Sequence, residues 1–328
     1  MKRILVAFIC LLLFISNFLF SCGDESGKVS VKYFSSAVEL NNMLNENKLD
    51  AGLVAEPMAS KIESMGGYYR LSLQDLYGEN SYPQAVIMAS ENLLFSIPEI
   101  ASFLENNFSD NISWIKQNTA LALQTINAKL DSGVTPSLNS NLINADVIDK
   151  CNIYYKKAVD NKNYIENYLS SIIEIDNKSA KQVDSNFYYD GNLSPQSFTK
   201  ENITFVCPDG APALAIAKFI YDSESIKGLN VNYKIVSSDK IGSYMLNGSG
   251  DIVVCPTNAT SKLYNSGNVK YKALSVITHG NLYIMSKEKL ELKDLNGKKI
   301  GVIGQGLVPD LTFRSILKNN SMEMEIAL

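Results

Sequence analysis

Five turns in the sequence combine glycine or proline with small polar residues, each directly after a predicted strand. They are Asp209-Gly210-Ala211-Pro212, Pro256-Thr257-Asn258, Thr278-His279-Gly280-Asn281, Gly304-Gln305-Gly306-Leu307-Val308-Pro309, and Ala55-Glu56-Pro57-Met58 together with the helix cap Ser35-Ser36. In an open α/β sheet such turns meet at the carboxyl ends of the strands, where free N–H groups at helix N-termini favour polar and anionic groups. The turns therefore predict a site for a small polar or anionic molecule. Its candidate contacts are Ser35, Glu56, Asp209, Gly210, Ala211, Thr257, Asn258, His279, Asn281, Gln305 and Gly306.

These candidates also have a purely structural interpretation. The glycines and prolines suit tight turns and helix starts, and Ser36 is favoured as an N-cap over a ligand contact. Asp209 either caps its helix or accepts a hydrogen bond from a ligand amine or hydroxyl. Glu56 has the same two options and would oppose an anion. The run "GVIGQG" (301–306) lacks the Lys-Ser/Thr pair of a P-loop, so nucleotide binding is not predicted.

The scarcity of histidine and arginine limits the chemistry further. His279 is the one histidine among 328 residues, which argues against a histidine-rich metal centre and against any Ser-His triad not built on it. No catalytic residue, metal or cofactor is therefore predicted. Beyond the first 21 residues the arginines are Arg70 and Arg314, and Arg314 is expected to face solvent. Backbone N–H groups and Thr, Asn and Gln side chains would then hold an anion, whereas a neutral heterocycle stacked on a tyrosine is equally compatible.

Two other groups of residues are expected to be structural. Trp114 and the tyrosine-rich segment 154–168 are predicted to lie in the core rather than in a pocket. Cys151, Cys207 and Cys255 are an odd, sparse set, which favours buried thiols over a disulfide framework.

An internal repeat shows which elements position the turns. Residues 35–61 align with residues 237–262, and each copy follows a β-prone run, at 29–34 and 231–236. Each copy therefore predicts a strand, a helix, a short strand and a second helix. Two copies about 200 residues apart favour two lobes of one design over a solenoid, which would stack its repeats closely.

The remaining segments complete an α/β organisation. Residues 202–222 and 297–320 each predict a strand, a glycine-containing turn and a helix with proline near its start. Strands that alternate with helices imply parallel sheets covered on both faces. Residues 97–183 are predicted to be a helical segment, and the polar residues 184–201 a linker.

The N-terminus predicts export. Lys2 and Arg3 precede an apolar run over residues 4–20, which predicts a signal peptide over residues 1–21 rather than a membrane span. The end of this run, Leu19-Phe20-Ser21-Cys22, resembles the lipobox of bacterial lipoproteins. Cys22 is thus a candidate for lipidation with residues 22–28 as a tether, and ordinary secretion is the alternative. Loss of the leader makes the formal net charge of −4 more negative, which argues against a nucleic-acid-binding surface.

Several stretches together resemble one family. "CPDGAPALAIAKFI", "GDIVVCPTNATSKLYNSG", "THGNLYIM", "DLNGKKIGVIGQGLVPDLTFRSILKNN" and "ELNNMLNENKLDAGLVAEPMASK" resemble substrate-binding lipoproteins of ABC importers, in the nitrate/sulfonate/taurine/thiamine-precursor branch. The resemblance implies an α/β, two-lobed type II periplasmic binding protein fold. It also implies that the loop containing His279 lies in the cleft, which favours His279 as a ligand contact.

The order of the segments differs from that family. Its later half corresponds to residues 29–190 and its earlier half to residues 203–328, so the chain resembles a circular permutant. Joining the end of the chain to residues 27–40 would give one continuous turn, strand and helix. Lobe 2 is then expected at 29–88 and 293–328, and lobe 1 at 89–292, with hinge strands near 84–91 and 282–288. A truncated or misassembled gene product is the alternative.

The resemblance implies capture of a small solute without catalysis. The expected partners are a sulfonate- or nitrate-like anion or a thiamine-precursor-like heterocycle, an ABC permease, and a membrane reached through the lipid on Cys22. The protein is expected to be an extracytoplasmic monomer. A lipoprotein that senses a ligand for a membrane receptor is one alternative, which a neighbouring receptor gene would favour. Thiamine-precursor or menaquinone-pathway enzymes of the same fold are another, which the export signal disfavours.

Overall fold

The computed structural model describes residues 27–78, 81–138, 141–193, 200–222 and 225–327. The predicted signal peptide and Cys22 lie outside the described residues. Thirteen strands occur in this part of the chain: β1 (Val29–Phe34), β2 (Ala51–Ala55), β3 (Tyr69–Ser72), β4 (Pro83–Ser90), β5 (Ile153–Lys157), β6 (Asn202–Pro208), β7 (Ser225–Ile226), β8 (Leu229–Val236), β9 (Ile252–Pro256), β10 (Tyr271–His279), β11 (Leu282–Ser286), β12 (Lys299–Ile303) and β13 (Met324–Ile326).

The strands form two sheets with matching orders. One sheet runs β13-β1-β12-β2-β11-β3 and the other β7-β8-β6-β9-β4-β10-β5. Within them β1-β12-β2 and β8-β6-β9 are parallel, and β11 and β4 then pair antiparallel with β2 and β9. The repeat seen at 35–61 and 237–262 supplies corresponding strands of the two sheets, so the similarity in sequence is also a similarity in architecture.

Each sheet contains one strand that follows directly, along the chain, a strand of the other sheet. β4 follows β3 along the chain and joins the seven-stranded sheet, whereas β11 follows β10 and joins the six-stranded sheet. The chain changes sheets within residues 73–82 and at residues 280–281. The boundaries expected at 88/89 and 292/293 are therefore displaced, because each expected hinge strand lies wholly inside one sheet and the connections before it make the crossing.

The helices cover the sheets. They are α1 (Ala37–Asn45), α2 (Met58–Ser64), α3 (Leu73–Tyr77), α4 (Glu91–Ser96), α5 (Glu99–Gln117), α6 (Thr119–Asn127), α7 (Ala145–Lys150), α8 (Lys162–Ile175), α9 (Ala211–Ala215), α10 (Ala217–Asp222), α11 (Ile241–Leu246), α12 (Thr257–Asn265) and α13 (Val308–Asn319). None of the helices in the described ranges combines the length and apolar character that a membrane crossing requires.

Helix α8 packs against both halves of the molecule. Its buried residues Ile165, Tyr168, Leu169 and Ile172 recur at helical spacing and form one apolar stripe. This stripe belongs to a hydrophobic core that includes residues from both sheets. The Tyr168 hydroxyl lies 3.2 Å from Thr312 Oγ1 on α13. Because α8 contacts α12 beside one sheet and α13 beside the other, it connects the two units along one flank.

The segment predicted to be helical and the predicted linker both need correction. Residues 97–183 contain strand β5, which pairs antiparallel with β10 because its β-branched and aromatic residues suit a sheet edge. The first part of the 184–201 segment is packed rather than a free linker. Phe187 and Tyr188 are buried, and Tyr188 forms a β-bridge to Ala273. Residues 194–199 lie outside the described residues.

The two ends of the described chain meet in the six-stranded sheet. β1 pairs in parallel with β12, so residues 29–34 and 299–303 share a sheet as the permuted order requires. β13 pairs in parallel with the other edge of β1. The end of the chain and residues 29–34 therefore form two adjacent strands, not the single continuous strand expected from joining them.

Candidate ligand-binding site

His279 is fully buried at the end of β10. Its ring stacks on the Tyr154 ring with 3.5 Å between centroids and 5° between planes. Nδ1 lies 2.8 Å from the Tyr164 hydroxyl, and Nε2 lies 3.1 Å from the Tyr154 carbonyl oxygen. A carbonyl can only accept, so Nε2 carries the proton and Nδ1 accepts from Tyr164. Both ring nitrogens are thus bonded inside the protein, and in this conformation neither is free for a ligand.

Burial also keeps His279 uncharged. It lowers the pKa of the imidazole from 6.5 to about 3, and the nearby Lys156 ammonium lowers it further, against the hydrogen bond to Tyr154 that raises it. The expected ligand contact through this ring would require Tyr154 or Tyr164 to move. The structure gives His279 a packing role beside the crossing at residues 280–281.

We expect acid to destabilise the fold through His279. The unfolded state has the higher pKa, so it binds more protons below pH 6.5, and stability falls as the pH drops from 6.5 towards 3. Between pH 7 and pH 5 the free energy of unfolding should decrease by about 2 kcal/mol through this group. Urea denaturation at several pH values measures this. In a His279→Gln variant the decrease over this interval should largely vanish, and an unchanged pH dependence would contradict the assignment.

Glu56 lies at the carboxyl end of β2 with its side chain fully buried and neutralised. Arg70 Nη1 donates to Glu56 Oε1 at 2.9 Å, and Ser60 donates to both carboxylate oxygens through its hydroxyl and its backbone N–H. Arg70 also binds Glu63 and lies over the Tyr283 ring at 4.8 Å. The carboxylate therefore has no free charge to offer a ligand amine.

Three of the predicted contacts have buried polar atoms without a partner. Thr257 and Asn281 are almost completely inaccessible, and Asn258 is 8% exposed. Thr257 Oγ1, Asn258 Oδ1 and Asn281 Oδ1 have no hydrogen-bond partner in the described part of the chain. Buried polar groups are normally bonded. These atoms are thus the sites at which a polar ligand would gain most, at the carboxyl ends of β9 and β10.

A segment of the chain itself lies between two of the predicted turns. The Asn258 side-chain amide donates to the Ser179 carbonyl oxygen at 3.1 Å, and a Cβ on Gly306 would lie 3.9 Å from Ser179 Oγ. Lys181 N donates to Ser261 Oγ in the same region. Residues 179–181 therefore bring the Asn258 turn of one sheet and the Gly306 turn of the other to a common position.

The Gly306 turn is held by a buried carboxylate. Asp310 is 1% exposed and accepts from Gly306 N at 2.8 Å and from the Tyr33 hydroxyl at 2.7 Å. Arg314 lies 3.6 Å from the same carboxylate and donates to the Ile175 carbonyl oxygen. Arg314 is therefore not the solvent-facing residue that was expected, because it links α13 to the end of α8.

The other predicted residues are more dispersed. Asp209 accepts hydrogen bonds from Ser137 N at 2.7 Å and from Gly210 N at 2.8 Å. Its carboxylate therefore holds the loop around Ser137 in place. Ala211 is buried. Ser35 and Gln305 are exposed, and Ser36 caps α1 by accepting from Glu39 N as expected.

The three cysteines are free and buried, which confirms the expectation of buried thiols. Burial raises the pKa of Cys255 to about 12 and that of Cys151 well above its usual range. Among the described residues no group of three or more His, Cys, Asp and Glu side chains is arranged to hold a metal ion.

Two surface cavities involve residues that the sequence did not single out. One, of about 570 Å³, is lined by Tyr77, Gly78 and Ser81 and by residues of the segment 156–168. The other, of about 520 Å³, is lined by residues that include Glu99, Glu105 and Tyr155. None of the eleven predicted contacts lines either cavity. The tyrosine-rich segment is thus both core and cavity wall. One feature of the sequence pointed to this cavity wall. Asn163 and Asn167 are four residues apart, so they lie on the same face of a helix.

No family model matches the sequence, and no curated protein matches it. Among solved structures, NikA from Brucella suis in complex with Fe(III)-EDTA is similar with a TM-score of 0.29 and 10% sequence identity. The match covers 80% of this chain and 60% of the NikA chain.

Proposed function

We propose that this chain is an extracytoplasmic solute-binding lipoprotein that captures a small molecule between its two α/β units and delivers it to an ABC permease. The observation that carries the proposal is the set of buried, unpartnered atoms Thr257 Oγ1, Asn258 Oδ1 and Asn281 Oδ1. All three belong to turns that the sequence had assigned to the ligand. A polar solute that entered when the units open would supply their missing partners.

The architecture supports a two-lobed arrangement. The sheets have corresponding strand orders, and the chain passes between them from β3 to β4 and again from β10 to β11, so two short connections join them. In this proposal the six-stranded sheet is the core of lobe 2 and the seven-stranded sheet that of lobe 1. The parallel pairing of β1 with β12 supports a permuted member of the nitrate/sulfonate/taurine/thiamine-precursor branch.

The solute is a small anion or heterocycle with hydrogen-bonding edges. Thr257 and the two asparagines offer hydroxyl and amide groups, and Glu56 does not repel an anion because Arg70 neutralises it. Lipid on Cys22 would hold the protein at the membrane. A ligand sensor that docks on a receptor would use the same closure, and the partner protein distinguishes the two roles.

Native mass spectrometry of the mature protein, purified without refolding, tests the capture. We expect a compact ion with a reproducible small extra mass. The double variant Thr257→Val, Asn258→Leu should lose this mass while its charge-state distribution stays compact. The control is Ser266→Ala, an exposed residue just beyond the opposite end of α12, which should keep it. A wild-type ion that stays free of any adduct after a screen of sulfonates and heterocycles would sink the proposal.

The same preparation tests the anchor. The membrane-bound protein should begin at Cys22 and carry the mass of a lipid, and a Cys22→Ser variant should leave the membrane fraction. A mature protein that begins at another residue and carries no lipid would contradict lipidation and favour ordinary secretion.

A further inference from the structure

The cavity of about 570 Å³, here called the α8 cavity, lies at the start of helix α8. Its wall combines the connection around Tyr77 and Ser81 with Lys156 of β5 and residues 159–164. Its volume falls within the range typical of small-molecule sites, about 300–1,000 Å³. It is separate from the predicted turns.

The charge of the α8 cavity is predominantly positive. Lys156 lies over the Tyr164 ring at 4.2 Å and Lys162 over the Tyr188 ring at 5.2 Å. Neither lysine forms an ion pair with a residue in the described ranges. The first turn of α8 carries no acidic residue and no side-chain cap, so its N–H groups add a positive dipole end. Asp160 is the one carboxylate in the wall.

The neighbouring cavity has the opposite character. It lies on the other side of β5 and its wall holds Glu99, Glu105, Asp160 and Asp190 against one lysine, Lys157. Successive residues of a strand point to opposite faces, so Lys156 lines the α8 cavity and Lys157 lines the neighbouring cavity. Lys157 also lies 3.8 Å from Glu105. The unpaired lysine charge is thus specific to the α8 cavity.

Aromatic rings form the apolar part of the wall. Tyr77, Tyr164 and Tyr168 all line it. Their hydroxyls are engaged by Ser171, His279 and Thr312. Tyr77 and Tyr164, which are partly exposed, therefore offer the cavity ring surface instead of hydrogen bonds, whereas Tyr168 is almost fully buried. Asn163 and Asn167 lie one turn apart on α8 and are exposed beside the rings. The wall thus suits a flat apolar body with a negative group at one end.

We propose that the α8 cavity binds a small organic anion, a carboxylate or sulfonate on a flat apolar body. Lys156 and the start of α8 hold the negative group, and the tyrosine rings hold the body. The site is additional to the turns proposed for solute capture.

Benzoate and its neutral counterpart benzamide are the probes. Isothermal titration calorimetry of the full mature protein should show benzoate binding and markedly weaker benzamide binding. Lys156→Met should weaken benzoate binding at least about tenfold, since a hydrogen bond to a charged group is lost. Lys157→Met is the matched control one residue away and should leave it unchanged.

Either of two results would overturn the proposal. One is equal affinity for benzoate and benzamide, and the other is equal benzoate affinity in the Lys156→Met and Lys157→Met variants. Far-ultraviolet circular dichroism of both variants excludes unfolding as the cause of a loss. The mass-spectrometry test of solute capture is independent of this test, because Thr257 and Asn258 do not line the α8 cavity.

Discussion

Replacement of Arg70 by methionine is expected to lower the free energy of unfolding by about 3–5 kcal/mol. Arg70 is the cation bound to the fully buried Glu56 carboxylate. Methionine preserves much of the side-chain volume but removes the cation. The Glu56 carboxylate then stays charged without a partner or must take up a proton. Ser60 alone cannot compensate, since its two hydrogen bonds to Glu56 are already made in the wild type. Urea denaturation followed by circular dichroism measures the loss.

A double variant separates the charge from the packing. Glu56→Gln in the Arg70→Met background removes the uncompensated charge, so it should recover most of the lost stability. Glu63→Gln is the matched control, because Glu63 also binds Arg70 but its side chain is 40% exposed. It should cost less than about 1 kcal/mol. A double variant as unstable as Arg70→Met alone would show that lost packing over Tyr283, not the buried charge, dominates.

The same cluster shows what the sequence could predict. The turn Ala55-Glu56-Pro57-Met58 was located correctly at the carboxyl end of a strand, because the short apolar run before it and the helix pattern after it are local signals. The partner of Glu56 was not predicted. Arg70 lies on the separate strand β3 and reaches Glu56 only because β2 and β3 flank β11. A pairing of this kind depends on sheet order, which local pattern does not encode.

The surroundings of His279 were not predicted from the sequence. The resemblance to the binding-protein family placed its loop in the cleft and so favoured it as a ligand contact. The ring is instead covered by Tyr154 and Tyr164, which belong to β5 and α8. β5 was not recognised as a strand, since its short run stands between two helices. Once it pairs with β10, Tyr154 comes to lie against the ring.

The presence of two similar sheets could be predicted from the sequence because part of the sequence repeats. The copies at 35–61 and 237–262 imply two similar units before any contact is known, and the sheets have matching orders. The crossing points were less accessible. A strand that changes sheets has the same apolar pattern as one that does not, so only the pairing partners of β4 and β11 place the crossings at 73–82 and 280–281.

The crossing at 280–281 should tolerate no side chain at Gly280. A Cβ there would lie 2.5 Å from Ser81 Oγ and 2.5 Å from Cε1 of the fully buried Tyr82 ring, closer than packed atoms can approach. Gly280→Ala should therefore displace one crossing connection against the other and cost about 3 kcal/mol in the free energy of unfolding. Thermal and urea denaturation would report it.

Gly242→Ala is the control that isolates this crowding. Gly242 lies in α11, where an added Cβ would meet one atom, Leu263 Cδ1, at 3.9 Å. Alanine is favoured over glycine in a helix, so this variant should gain about 0.5–1 kcal/mol. Equal stability of the two variants would show that the connections can separate without strain. The contrast matters for function because both connections between the sheets, 73–82 and 280–281, meet at the contact of Gly280 with Ser81 and Tyr82. Under the function proposed above, opening of the two units would change this contact, so a variant that spreads it should also alter solute affinity.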